Sequence, residues 1–381
     1  MNFKLLYYLL IALIAISCGK IDHTEAIKIV KKGGHDVMVC DVSKVKDTIQ
    51  LKLSDLITEC HMVKLETSPE AFFKWGYVTL SDNYIGVRSS RQPYKLFDKK
   101  GKFIRDIGKV GRGPNEFMNI YCEQIDEANG TIYLMPWQSP RLLRFSIEGE
   151  AMQPIPLLQK QPKGKFRVKN NQVDVVSLPF PNSKYIAYTQ TLSGETVNKV
   201  IPKDYMRVRN FSNELQPFNT NDINVSIFRL NKAIKDTLYQ YKADSDQLIP
   251  KLTLINGLDK VPYHGYDELP NHYLMELSVR KQVNENNYHI MPFGKVVIDK
   301  QTKEAHFFNL VNDFYGDMPI PTSFHDGYFV QSIPPIYLIK NIEKALKNKK
   351  LSADKRNKLM ALKSELDPED NNVIFWGKLK S

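Results

Sequence analysis

The stretch KLFDKKGKFIRDI at 95–107 recurs as LLRFSIEGEAMQPI at 142–155, with Phe97 matched by Phe145 and Gly101 by Gly149, each pair 48 residues apart. Each copy is an apolar strand, a polar turn and a second strand, and Asp98-Lys99-Lys100-Gly101 carries the chemistry of a hairpin turn. Weaker copies follow as YTQTLSGETVNKVI at 188–201, TLYQYKADSDQLIPKL at 237–252 and GKVVIDKQTKEAHFFNL at 294–310. Such a repeat constrains the fold more than composition does. Each unit must be the same piece of supersecondary structure, and each must cover its neighbours.

The runs HMVKLET (61–67), GYVTLSD (76–82), YIGVRSS (84–90), PYKLFD (93–98) and KFIRDIG (102–108) all read as short strands. A four-stranded meander has two apolar faces and covers neither alone, whereas radial packing covers both and leaves only short edges. From Ile49 to the C-terminus there are 333 residues, room for six units of this size. The expectation is an all-β chain, a six-bladed β-propeller of four-stranded antiparallel blades over 49–381. One segment departs from the pattern. Ile339, Ile342 and Leu346, then Leu359, Leu362 and Leu366, recur at helical spacing, and Ser352 precedes the second run as an N-cap. This predicts a helical hairpin at about 335–366, inserted in the last blade with its charged faces in solvent. The closing strand NNVIFWGKLK at 371–380 is expected to pair with HMVKLET and fasten the ring.

Residues 1–17 carry one Lys, at position 4, and an unbroken apolar run from Leu5 to Ile16. The run is too short to span a bilayer and suits a secretory signal. It ends in Ala15-Ile16-Ser17 before Cys18-Gly19, which resembles the lipobox of bacterial lipoproteins. That resemblance implies cleavage before Cys18, acylation of Cys18 and anchorage to a membrane of the bacterial envelope, each buried CH₂ of acyl chain adding about 0.8 kcal/mol. Residues 18–48, with Gly33-Gly34, many charges and little periodicity, are expected to be the lipidated N-terminus and a tether. Cys40, Cys60 and Cys122 remain, an odd number with no CxxC or Cys/His metal spacing. They read as strand or core residues, with at most one disulfide among them. The formal net charge of +11 is scattered, with a local excess only at 341–363. A solvated basic surface is the favoured reading; an exported chain meets anionic lipid headgroups and polysaccharides rather than nucleic acid, which is not expected as a partner.

The Gly-rich segment GKVGRGPNEF at 108–117 raises the question of a phosphate cradle. It follows a strand but opens no helix, and no Gly-Lys-Ser/Thr is present, so neither a dinucleotide fingerprint nor a P-loop fits. It is expected instead to cross from the outer strand of one blade to the inner strand of the next, traversing the blade's height. Its glycines would supply unusual dihedrals, Pro114 would fix one turn, and Phe117 would tuck between blades, with Lys109, Arg112 and Glu116 facing water or one another.

No Gly-x-Ser-x-Gly, His-Glu-x-x-His or EF-hand loop occurs. The histidines are dispersed, and the one local gathering is YHGYDELPNHY at 263–273, which holds His264, Asp267, Glu268 and His272. A long interblade loop with capping aromatics is the favoured reading, and a ligand or metal site at a channel mouth is the other. A calcium site would need oxygens converging from several blades. Asp82, Asn83, Asp126, Asn129, Asp299 and Asp326 are available, but their turn positions account for them on backbone grounds. No catalytic, ligand-binding or metal residue is named.

Residues 96–150 resemble the NHL-type repeat: strand, turn, strand, a Gly-rich segment ending in Phe, Asp-x-x-x-Gly-x-Ile-Tyr, then an Arg-Leu-x-x-Phe strand. The whole chain is similar to bacterial lipoproteins described as six-bladed β-propellers, an NHL/TolB-like group. The lipobox, Leu53 to Leu56 followed by Leu65 to Thr67, Gly111 to Phe117 and the helical insertion carry that resemblance. It implies the fold and leaves the activity open. Two classes stand: a lipid-anchored, monomeric binding or scaffolding module for a glycan, peptide or partner protein, or a calcium-dependent hydrolase, lactonase or lyase with its site in the channel.

Overall fold

The computed structural model describes residues 26–229, 233–257, 260–284 and 287–381; the expected signal at 1–17, Cys18 and His23 lie outside them. Six antiparallel sheets stand in a ring as a six-bladed β-propeller. Blade 1 is Tyr77–Leu80, Tyr84–Arg88, Tyr94–Asp98 and Phe103–Ile107, in that order from the axis outward. Blade 2 runs from Ile120–Asp126 to Ala151–Gln161 and blade 3 from Gly164–Lys169 to Thr196–Val200, each with four strands.

The repeat seen in the sequence has a structural counterpart at each position. Phe97 packs between blades 6 and 1 with Ile85, Val330 and Ile374, while Phe145 packs between blades 1 and 2 with Leu96, Ile107 and Ile132. Gly101 and Gly149 close equivalent turns at φ +88° and +89°, a region open to glycine at little cost. Burying each such phenylalanine contributes about 1.5–3 kcal/mol.

The ring closes as expected in blade 6. Val373–Lys378 lies between Tyr328–Ile333 and His61–Lys64, with Phe375 opposite Met62. The helical insertion is also present, as Pro335–Leu346 and Ala353–Ser364, and Ser352 Oγ accepts from Lys355 N–H. Leu338, Ile342, Leu359 and Leu362 are its buried contacts, while Ile339, Leu346 and Leu366 are half-buried.

Residues 26–48 are not a tether. Ile27–Lys32 and His35–Asp41 form a hairpin on the outer edge of blade 4, where Met38 to Asp41 run parallel to Leu252 to Ile255. Thr48–Lys52 then runs parallel to the outer strand of blade 5, Ala305–Asn312. The first described strands thus lace blades 4, 5 and 6 in succession, so blades 4 and 5 exceed four strands. Met38 and Cys40 are buried against Leu238, Leu252 and Leu254, and the solvent side of these edge strands carries Lys28, Lys31, Lys32 and Asp36 beside exposed Ile29 and Val30. Cys40, Cys60 and Cys122 are all free thiols.

The crossing at 108–117 also takes a different course from the one expected. Every blade has an even number of strands from its inner edge to its crossing, so the outer strand ends on the face where the next inner strand begins. The segment therefore runs radially across the blade, and does not climb its height. Phe117 is buried between blades 1 and 2 as expected, and Lys109 and Arg112 are exposed. Gly108 uses positive φ, but Gly111 and Gly113 serve another purpose. Glu116 folds back so that its carboxylate accepts from Gly113 N–H at 2.8 Å, and a Cβ on Gly111 would stand 2.0 Å from that carboxylate.

Candidate functional site

Inner strands line a central channel that opens into two chambers. All run in one direction, which defines two faces: a crossing face, where they begin and the interblade crossings lie, and a turn face, where they end in hairpin turns. A cavity of about 760 Å³ opens on the turn face, and one of about 710 Å³ on the crossing face. Both are within the range of small-molecule sites.

Each blade contributes at least one polar side chain to the turn-face chamber, among them Thr79, Gln124, Arg167, Asn219, Glu268 and Asp326. Most are tied down. Gln124 bridges blades 2 and 3 by accepting from Val168 N–H at 2.7 Å and donating to Val168 O at 2.9 Å. Glu268, almost wholly buried, accepts from Lys251 and from Lys300 Nζ at 2.8 Å, and Lys251 also meets Asp222 at 3.1 Å. Burial pushes the Lys300 ammonium down from its ordinary pKa, while Glu268 opposes that shift.

Two members differ. Among the described residues the Arg167 side chain makes no ion pair or hydrogen bond; its guanidinium carbon lies 5.3 Å from the Phe218 ring. Burial lowers its pKa against the pull of Asp326, Asp174 and Asp222. Asn219 is 2% exposed, and neither its Oδ1 nor its Nδ2 has a protein partner. A buried amide left this way is unfavourable by about 1–3 kcal/mol per group unless something else satisfies it.

The waist between the chambers is a charge cluster. Thr79 Oγ1 donates to Glu123 Oε1 at 2.8 Å, and Arg88 Nε lies 2.6 Å from Glu123 Oε2 as a charge contact outside hydrogen-bond geometry. His325 Nε2 is 3.4 Å from Thr79 Oγ1 and 3.3 Å from Asp326 Oδ2. In the crossing-face chamber Glu276 meets Lys295 at 3.0 Å and accepts from Thr322, while Tyr121 and Lys163 hold Glu214. Asp267 Oδ1 has no hydrogen-bond partner. Burial, reinforced by the charge of Glu276 and opposed by Lys295 and Lys165, pushes the Asp267 carboxyl up to about 7.

The segment 263–273 is not an interblade loop. Tyr263–Glu268 is the inner strand of blade 5, and His272 begins its second strand. This brings Asp267 to one chamber and Glu268 to the other, but not the two histidines. His264 is buried, hydrogen-bonded to Pro262 O at 2.8 Å, with its pKa lowered by burial; His272, at the start of its strand, lies 3.7 Å from Asp299. The six turn residues considered for calcium do not converge. Asp326 lines the chamber, whereas Asn83 is bonded to Glu127, Asp126 caps the turn to Asn129, and Asp299 caps its own turn at Gln301 and Thr302. Among the described residues no group of three or more His, Cys, Asp or Glu side chains is placed to hold a metal ion. Arg167 and Asn219 were not singled out from the sequence, because nothing adjacent to either marks it.

A family described as "Domain of unknown function (DUF4934)" matches residues 37–378. No curated protein matches the chain. Among solved structures, a Bacteroides fragilis protein named for its expected export superposes with a TM-score of 0.56 at 13% identity, covering 88% of this chain and all of its own. A DUF4221 member from Bacteroides vulgatus, also 13% identical, gives 0.43 over 86% of this chain and 98% of its own. The first likeness shows the fold.

Proposed function

The chain belongs to the DUF4934 family, and we propose that it is a lipid-anchored binding propeller of a bacterial envelope that takes a polar ligand, a glycan or peptide fragment, in its turn-face chamber. One observation carries the reading: Arg167 and Asn219 present an unpaired guanidinium and an unsatisfied amide to a cavity of about 760 Å³. A guanidinium offers a planar fork for a carboxylate, and an amide offers both a donor and an acceptor for hydroxyl or peptide groups. The signal at 1–17 and Cys18 support export and acylation, as does the name of the Bacteroides fragilis relative. The radial Gly-x-Gly-Pro-x-Glu-Phe crossing supports kinship with NHL and TolB-like propellers.

The test is thermal-shift screening of the chain from Gly19 against neutral and acidic oligosaccharides and short peptides. An acidic member is expected to raise Tm, and Arg167→Ala to abolish that rise while leaving the ligand-free Tm in place. No shift with any member, or a shift that survives Arg167→Ala, refutes the assignment. Acylation is read separately, as fatty-acid label lost in Cys18→Ala.

A hydrolase or lyase reading draws on one observation, the Asp267 carboxyl held at about 7 beside Glu276. A group in that range is suited to general acid–base work near neutral pH. The calcium-dependent form of this reading predicts that calcium raises Tm, and an unchanged Tm counts against it.

A further inference from the structure

We propose that the crossing face is the membrane-facing side of the propeller, lying on an anionic lipid surface with the long hairpin of blade 5 entering its interface. The first support is the distribution of exposed apolar side chains. Trp75 precedes the inner strand of blade 1 and Tyr77 begins it, 61% and 67% exposed, and Trp137 sits in the connection between the second and third strands of blade 2. Tyr205 and Phe211 lie in the crossing from blade 3 to blade 4, and exposed Tyr337 opens the helical insertion against Trp75, at 6.4 Å between rings. All are on the crossing face. The hairpin turns of the opposite face carry no exposed large hydrophobic residue among those described; the exceptions to the pattern are Ile29, Val30 and Val197 on outer edge strands and Met360 on the second helix. A one-sided concentration of aromatic and aliphatic side chains marks an interaction surface, and amphipathic aromatic rings suit a lipid–water boundary.

The second support is the hairpin formed by His272–Gln282 and Tyr288–Asp299, whose pairing continues to Gln282 opposite Tyr288. Beyond Ser278 its legs project about 15 Å from the body, at about 3.3 Å per residue. They carry exposed Val279, Val283, Tyr288, Ile290, Met291 and Phe293. Basic groups are interleaved: Arg280 stacks 3.8 Å over the Tyr288 ring, and Lys281 faces His289 across the strands. Apolar side chains flanked by cations match an interface whose headgroups are anionic.

The third support is where the chain enters. Ala26 O accepts from Asp41 N–H at 2.8 Å, and Ile27 lies opposite Cys40, at the end of these strands that belongs to the crossing face. From Cys18 to Ala26 the backbone spans at most about 28 Å. An acyl group on Cys18 therefore holds this face within about 28 Å of the bilayer, a gap the projecting hairpin crosses halfway. This third support rests on the acylation reading; the first two do not. With the crossing face down, the turn-face chamber with Arg167 and Asn219 faces away from the membrane, toward soluble ligand.

The test uses the chain from Gly19, which carries no lipid, with vesicles of phosphatidylglycerol and phosphatidylethanolamine. Flotation with these vesicles is expected, weakened by salt and reduced with phosphatidylcholine alone, together with a blue shift of emission from Trp75 and Trp137 and quenching by brominated lipid. The triple variant Ile290→Ser, Met291→Ser, Phe293→Ser is expected to keep its Tm and to bind at least tenfold more weakly. Trp75→Ser and Trp137→Ser, in other blades, supply a second pair should the hairpin variant fail to fold. Absence of vesicle binding by the unlipidated wild type, undiminished binding by the folded variants, or self-association in place of binding each overturns the proposal. Loss of the fatty-acid label at Cys18 is read independently, so failure of the anchor and failure of the face are distinguishable.

Discussion

Replacing Asp267 by Asn tests the electrostatics of the channel directly, because the two side chains have nearly the same shape and differ in whether they ionise. In the unfolded chain the carboxyl titrates near 3.8; in the folded chain burial and Glu276 hold it at about 7. Between those values the folded protein keeps a proton that the unfolded chain has released. The stability this group contributes is therefore present at low pH and is lost as pH rises from about 4 to about 7. At 1.36 kcal/mol for each pKa unit the difference has a ceiling of about 4 kcal/mol, which water in the chamber screens to about 2 kcal/mol.

Urea unfolding across the pH range is the assay. Asp267→Asn is expected to be more stable than wild type by about 2 kcal/mol at about pH 8.5, with the two curves converging as pH approaches about 4. An offset that does not change with pH would mean that Asp267 has an ordinary pKa and that its unpartnered Oδ1 is satisfied by solvent. The reasoning from burial would then be wrong.

The remaining expectations concern the frame. Phe375, buried between Tyr328–Ile333 and His61–Lys64, is expected to lose about 3–5 kcal/mol on mutation to Ala, and deletion of residues 371–381 to abolish cooperative unfolding; an unchanged melting curve in either case refutes closure through this strand. A Cβ at Gly86 would stand 1.8 Å from the hydroxyl of fully buried Tyr94, so Gly86→Ala is expected to destabilise by about 2 kcal/mol or more, read as a fall in Tm. Truncation to Ala26 is expected to leave Tm unchanged, whereas truncation to Ser43 strips the hairpin from blade 4, exposes Leu252 and Leu254, and lowers Tm.

The propeller was legible because its repeat is written in the residues that pack between blades: Phe97 and Phe145 fill equivalent interfaces, and Gly101 and Gly149 close equivalent turns. The closing pair was legible because both strands are apolar enough to be recognised at a distance of more than 300 residues. The lacing strands were not. IKIVKK and HDVMVCD lie on outer edges, where one face meets solvent and only Ile27, Val37, Met38 and Cys40 need be buried. An edge strand of that kind is charged like a tether, and Gly33-Gly34 reads equally as a linker or as the turn it forms. The direction of the crossing at 108–117 follows from strand parity, which becomes usable only once four strands per blade are established.

The candidate site was illegible for a different reason. Catalytic and phosphate motifs are recognised when their residues are neighbours in sequence, whereas a propeller channel draws one side chain from each repeat. Thr79, Gln124, Arg167, Asn219, Glu268 and Asp326 follow one another at intervals of between 43 and 58 residues, close to the repeat itself. Their signal is positional: each lies at the end of an inner strand or in the turn that follows it. Aligning the repeats on those turns, rather than searching for clusters such as His264 with His272, would have placed Arg167 and Asn219 in the channel. It would not have shown that they lack partners, since Gln124 and Glu268 occupy equivalent positions and are held by Val168 and by Lys251 and Lys300. What distinguishes a ligand-ready side chain from a structural one here is the identity of its neighbours across the blade interface, and that is set by packing between repeats, beyond the reach of any one repeat read alone.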